Sequence, residues 1–110
     1  MEERRVTVHG TGRVVLPAYG LADAEHQVEK ELEEAWPGSR AKVLDVARTD
    51  DRPRIVEEFA VRYRVRGTVT EKASTEQEAK TAALRGLRER FTGTRFAGVA
   101  WDVISTEARR

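Results

Sequence analysis

In the stretch AVRYRVRG, residues 60–67, Arg62, Arg64 and Arg66 alternate with Val61, Tyr63 and Val65. A guanidinium is always charged and presents five donors in a rigid fork that fits carboxylate and phosphate. Side chains two residues apart share one face of a strand. This spacing therefore builds a row of anion receptors rather than an acid–base pair. Few other residues could do chemistry. The chain has two histidines, His9 and His26, and no cysteine, which excludes disulfides, thiol nucleophiles and Cys-based zinc sites. Asp23 and His26 stand three apart, as on one helix face, but no third ligand has the right spacing, so no metal site is expected. Asp50 and Asp51 fall in TDDRPR (49–54), where turn chemistry accounts for them. The G-x-G of HGTGRVV lacks a third glycine and opens no helix, so a dinucleotide fingerprint fails. Ser39, Ser74 and Ser105 have no neighbouring base and no nucleophile-elbow motif. No catalytic residue and no cofactor is expected, and the chain reads as a non-enzyme.

The elements that must position the arginines follow from a repeat. Shifted by 55, the chain matches itself at 12 positions. Among them are Val6/Val61, Gly12/Gly67, Val14/Val69, Ala18/Ala73, Ala24/Ala79, Leu32/Leu87 and Gly38/Gly93. A fixed period precedes any assignment of elements. Duplication (units 1–55 and 56–110 of one domain) and coincidence between two similar units both fit it. Each unit opens with period-two apolar residues, the strand signal: Val6, Val8, Val14 and Leu16, then Phe59, Val61, Tyr63, Val65 and Val69. Gly10, Gly12 and Gly67 suggest a bulge or bend in a long strand, with a hairpin turn at GTG as the competing reading for the first unit.

A helix follows in each unit. Ala24, Val28, Leu32 and Trp36, and then Ala79, Ala83, Leu87 and Phe91, recur every four residues as single apolar stripes. Asp23 is a candidate N-cap, and Ser74 with Gln77, or Thr75 with Glu78, offers a capping box. WPGSR and FTGTR close the helices, with Gly38 and Gly93 near the cap. KVLDVAR and GVAWDVI then read as second strands. The order β-α-β, β-α-β predicts an α+β, ferredoxin-like fold, an antiparallel sheet with both helices on one face.

With Val61, Tyr63 and Val65 under the helices, Arg62, Arg64 and Arg66 lie on the open face. Arg5, Thr7, His9, Thr11 and Arg13 share it by the same parity. On the outer strands the outward sets are Ala41, Val43, Asp45 and Ala47, and Gly98, Ala100, Asp102 and Ile104. The expected contact residues are Arg5, His9, Arg13, Arg62, Arg64 and Arg66. A self-association surface or protein partner is the first expectation, with Asp45 and Asp102 as counter-charges across a homodimer, and RNA or single-stranded nucleic acid is the alternative. Arginine stems covering the sheet with their heads in water would also explain the row.

VHGTGRVVLPAYG (8–20) faintly resembles the phosphate-loop segment of acylphosphatases, which share this fold class. That family positions water with an asparagine. This chain has none, so the resemblance carries no site here. RNA-recognition domains share the topology, but they stack bases on open-face aromatics. Here Phe59 and Tyr63 have core parity and the K/R-G-F/Y-G/A-F-V-x-F/Y signature is absent.

Net charge is +1 although 35% of residues are charged, which argues against a bulk polyelectrolyte binder. The first helix is acidic (Glu25, Glu29, Glu31, Glu33, Glu34) and the second basic (Lys80, Arg85, Arg88, Arg90). Many charges with few thermolabile residues suit a thermostable protein. No apolar run is long enough for a membrane span and the N-terminus is charged, so a cytoplasmic protein is expected.

Overall fold

A computed structural model describes residues 2–52 and 54–109 of the chain. Pro53, within the expected turn, lies outside the described residues. The elements are β1 (Glu2–Ala18), α1 (Leu21–Ala35), β2 (Arg40–Arg48), β3 (Glu57–Ala73), α2 (Glu76–Phe91) and β4 (Ala100–Arg109). The sheet is antiparallel throughout, in the order β2-β3-β1-β4, consistent with a ferredoxin-like fold.

The two central strands pair along their whole length, from Glu2 opposite Ala73 to Ala18 opposite Glu57, with no break in register. At about 3.4 Å per residue, 17 residues account for the 57 Å long axis of the molecule. GTG is therefore neither a hairpin nor a bulge. Its glycines make room for rings. A β-carbon on Gly12 would lie 2.4 Å from the Tyr63 hydroxyl, one on Gly10 2.7 Å from the Trp101 ring, and one on Gly67 2.7 Å from the Trp36 ring. A strand glycine under an aromatic ring marks such a close approach. The bulges lie instead in the outer strands, at Leu44 in β2 and Ile104 in β4.

One sheet face is dry. Val6, Val8, Val14 and Leu16 of β1 and Phe59, Val61, Tyr63 and Val65 of β3 are all at most 5% exposed. Both helical stripes pack there, from Ala24 to Trp36 and from Ala79 to Phe91. Trp36 and Trp101 meet edge to face with centroids 5.8 Å apart, and Phe91 lies 5.2 Å from Trp101.

The helix starts obey one rule with different residues. Thr75 caps α2, its hydroxyl accepting from the Glu78 N–H at 3.2 Å, while the Glu78 carboxylate accepts from the Ser74 N–H at 3.0 Å. In α1 the cap is Gly20, not Asp23. Asp23 sits inside the first turn and accepts from the Tyr19 N–H at 3.0 Å, as Glu78 does from Ser74. Its carboxylate suits the positive end of the helix dipole.

An offset of 55 carries β1 onto β3, and Leu21, the first residue of α1, onto Glu76, the first of α2. Gly38 and Gly93, also 55 apart, are the described residues with positive φ (89° and 81°). The last strands do not obey it. Arg40 opposite Arg66 corresponds to Ala100 opposite Thr11, an offset of 60. The extra five residues sit in the α2–β4 connection, where Phe96 is 2% exposed and packs edge-on against Tyr63 at 5.3 Å. Arg95 beside it ion-pairs with Glu31 of α1. An offset of 55, which in sequence sets Arg40 on Arg95 and Leu44 on Val99, therefore does not hold in space for the last strands.

Candidate functional site: the open sheet face

The face away from the helices carries the residues singled out by parity. Arg62, Arg64 and Arg66 are exposed on β3, as are Arg5 and Arg13 on β1, and His9 is half-buried. The ladder sets them in rows. Arg66 stands opposite His9, Arg64 opposite Thr11, and Arg62 opposite Arg13. Arg5 lies further along, opposite Thr70 and flanked on its other side by Glu107.

Strand β2 differs from its expected phase. Ala41 and Val43 pack against the core, so Arg40 and Lys42 take the open face. Only past the bulge at Leu44 do Asp45 and Ala47 point outward as expected. The reason is where the strand begins. It starts at Arg40, and R-A-K-V alternates cleanly with the small apolar residues inward. On β4 the expected phase holds. Val99, Trp101 and Val103 face the core, and Asp102 lies outward opposite His9.

The result is a compact cationic block. Arg40 opposes Arg66, Lys42 opposes Arg64, and Arg13 opposes Arg62, three like-charge pairs in successive rows. Directly opposed side chains have their β-carbons about 4.5–5.5 Å apart, and like charges there are destabilising. Asp45 beside Arg62 and Asp102 beside His9 are the carboxylates bordering these rows. Among the described residues, none of the six cations takes part in an ion pair.

The surface is shallowly hollowed. One depression of about 560 Å³ is lined by His9, Arg40, Lys42, Arg64, Arg66 and Ile104. A second, of about 450 Å³, is lined by Thr11, Arg13, Leu44 and Arg62 among others. Arg64 and Thr11 stand between them in the ladder. Beyond the second, Val15, Ala47 and Ala60 leave that end of the face apolar. Among the described strand residues no aromatic side chain is exposed on the face, and Tyr19, 75% exposed, follows the end of β1. Trp36, Phe59, Tyr63 and Phe91 are buried on the helix side, and Trp101 packs there too. Burial pushes the Tyr63 phenol up to about 12.

The charge of the remaining surface is opposite over α1. There burial, and then the neighbouring carboxylates Glu25 and Glu33, hold Glu29 above the usual carboxylate range, with His26 partly offsetting them. Asp23, weighed with His26 as a ligand pair, is occupied by the Tyr19 N–H and by Gln27 Nε2 at 3.0 Å. Asp50 accepts from the Arg52 N–H and pairs with Arg54, a turn arrangement. Among the described residues no group of three or more His, Asp or Glu side chains is placed to hold a metal ion, and no helix is long and apolar enough to cross a membrane.

No protein-family model matches the chain, and no curated protein matches it. Among solved structures it is similar to a putative amidohydrolase/peptidase from Burkholderia cenocepacia, at 13% identity and a TM-score of 0.29. The alignment covers 99% of this chain and 28% of that one.

Proposed function

We propose that this chain is a non-catalytic binding module that docks an acidic partner on its open sheet face. The three opposed like-charge pairs carry the reading. Each costs stability of roughly 0.2–1 kcal/mol, and a merely solvated surface has no need of them. A bound polyanion would neutralise the block and relieve that repulsion. Arginine also suits the task, because its fork pairs bidentately with carboxylate and phosphate. The depressions are lined by cations rather than by a nucleophile and its base, which supports binding over catalysis. A cytoplasmic setting belongs to the same proposal, as does descent of the two βαβ halves from one duplicated unit.

Self-association across this face would set cations against cations, with Asp45 and Asp102 as the nearby counter-charges. A monomer is therefore expected. The test is retention on a sulfated-polymer column, comparing wild type with Arg62→Thr/Arg64→Thr/Arg66→Thr and with Arg85→Thr/Arg88→Thr/Arg90→Thr on α2. Both variants lose three charges. The reading requires the sheet variant to elute at markedly lower salt than the helix variant. Equal elution sinks it. Sedimentation equilibrium up to high micromolar runs alongside. A wild-type dimer that the sheet substitutions dissociate would assign the face to self-association instead.

A further inference from the structure

Resting on that reading, we infer that the partner is single-stranded nucleic acid, held by its phosphates along a track from Arg40 and Lys42 through Arg66, Arg64 and Arg62 to Arg13. Three observations distinguish this occupant from an acidic protein.

The first is regularity. The cations repeat along β3 every second residue, and each has a second cation directly opposite it, Arg40 and Lys42 on β2 or Arg13 on β1. Strand geometry fixes their backbone spacing at about 6.8 Å along a strand and about 4.8 Å across it. A polymer with one anion per repeat meets such a lattice at several points. An acidic protein surface, whose carboxylates sit at irregular distances, does so at few.

The second is the lack of anchors. Protein interfaces are held by aromatic or large apolar side chains in a desolvated centre ringed by polar residues. This face has the reverse layout. Its centre is charged, the aromatic side chains of its strands (Phe59, Tyr63 and Trp101) pack on the other side of the sheet, and Leu44 and Ile104, 45% and 48% exposed, stand at the strand bulges on its margins.

The third is shape. Two shallow depressions of about 560 and 450 Å³ in line suit one flexible backbone better than a rigid duplex. Their margins offer Leu44 and Ile104 to bases turned inward. With no exposed aromatic among the described strand residues and no preorganised base-edge reader, discrimination among bases is weak, and RNA and DNA strands bind alike. Arginine planes supply what stacking there is.

The magnitude follows from charge. If four of the six cations each engage a phosphate, the log–log salt slope for a single strand is about −2.8. Raising salt from 50 to 200 mM then weakens binding by about 50-fold.

The experiment is fluorescence anisotropy with a labelled 12-nucleotide oligouridylate and its deoxythymidylate counterpart, at those two salt concentrations. A 12-base-pair duplex serves as competitor, and a labelled polyglutamate peptide is titrated directly. The expected result is binding of both single strands, the stated salt loss, weaker competition by the duplex, and at least tenfold weakening in Arg40→Thr/Lys42→Thr. Arg64→Thr alone, a milder change, should weaken binding less, and the α2 variant should bind like wild type. If polyglutamate binds and the oligonucleotides do not, the nucleic-acid inference falls while the anion-docking reading stands. If neither binds, both fall. A duplex that competes as well as a single strand overturns the single-strand assignment.

Discussion

Replacing Arg62, Arg64 and Arg66 together by threonine should make the free protein more stable. Threonine is β-branched and arginine is not, so strand propensity adds to any gain, and the salt dependence of the difference isolates the charge contribution. Three opposed like-charge pairs disappear: Arg62 with Arg13, Arg64 with Lys42, Arg66 with Arg40. Each is worth roughly 0.2–1 kcal/mol, and the attraction lost between Arg62 and Asp45 is of the same size and opposite sign. The net gain is about 0.5–2 kcal/mol, or a rise of roughly 2–9 °C in Tm for a domain of this size. Thermal unfolding followed by circular dichroism in low salt reads it directly. Because the pairs are exposed, the difference should shrink at about 1 M salt, where the Debye length is about 3 Å. The opposing effect is packing, since arginine stems shield sheet backbone and neighbouring apolar surface. If the variant melts lower than wild type in low salt, stem packing outweighs repulsion. The cationic block is then a structural cover, and the argument that it exists for a partner loses its basis.

Four other perturbations probe the frame beneath the face. Gly67→Ala pushes a β-carbon to 2.7 Å from the Trp36 ring. Overpacking costs about 1–3 kcal/mol, and the usual alanine gain of roughly 0.5–1 offsets only part of it, so stability should fall by about 1–2 kcal/mol in urea titrations. Gly86→Ala in α2, where a β-carbon meets nothing within 4 Å, should instead gain about 0.5–1 kcal/mol, and a loss there would contradict the helix packing. Tyr63, with a phenol ordinarily near 10 and held up at about 12 by burial, favours folding fully below pH 10 and loses that contribution between pH 10 and 12. Tyr63→Phe should flatten that part of the pH–stability curve, and parallel curves would show the phenol is not buried. Phe96→Ala removes a ring that is 2% exposed and should cost about 3–5 kcal/mol. A loss under 1 kcal/mol, read from chemical denaturation, would mean the α2–β4 connection does not close the core.

Long, regular features were legible from residue types alone. Both helical stripes and both central strands are buried where periods of four and two put them, because wide apolar faces fix their own orientation. Strand β2 is different. Its second half, LDVAR, mixes polar and apolar residues around the bulge at Leu44, and a phase taken from that half inverts Ala41 and Val43. The first half, R-A-K-V, held the better signal, and with it Arg40 and Lys42 join the site. Strand β4 runs on to Arg109, beyond the expected GVAWDVI, since STEAR has no clean alternation. Phe96 was hidden in TGTRFAG, whose glycines and threonines read as turn. GTG shows the same limit from the other side. Its local turn signal loses to a 17-residue ladder and to two rings needing space, neither visible within a short window.

That ladder also dictates how the chain must fold. Its nearest partners, Ala18 and Glu57, are 39 residues apart in sequence, and its farthest, Glu2 and Ala73, are 71 apart. No turn can zip the centre of this sheet. The closest contact available to an early nucleus is the β2–β3 hairpin, where Arg48 meets Phe59. Strand β1, made before anything it pairs with in the sheet, must wait for β3. Such dependence on distant partners places folding in the slower range, milliseconds to seconds. During synthesis Val6, Val8, Val14 and Leu16 stand uncovered until the second half of the chain arrives, and the acidic first helix is the one element at hand to shelter them.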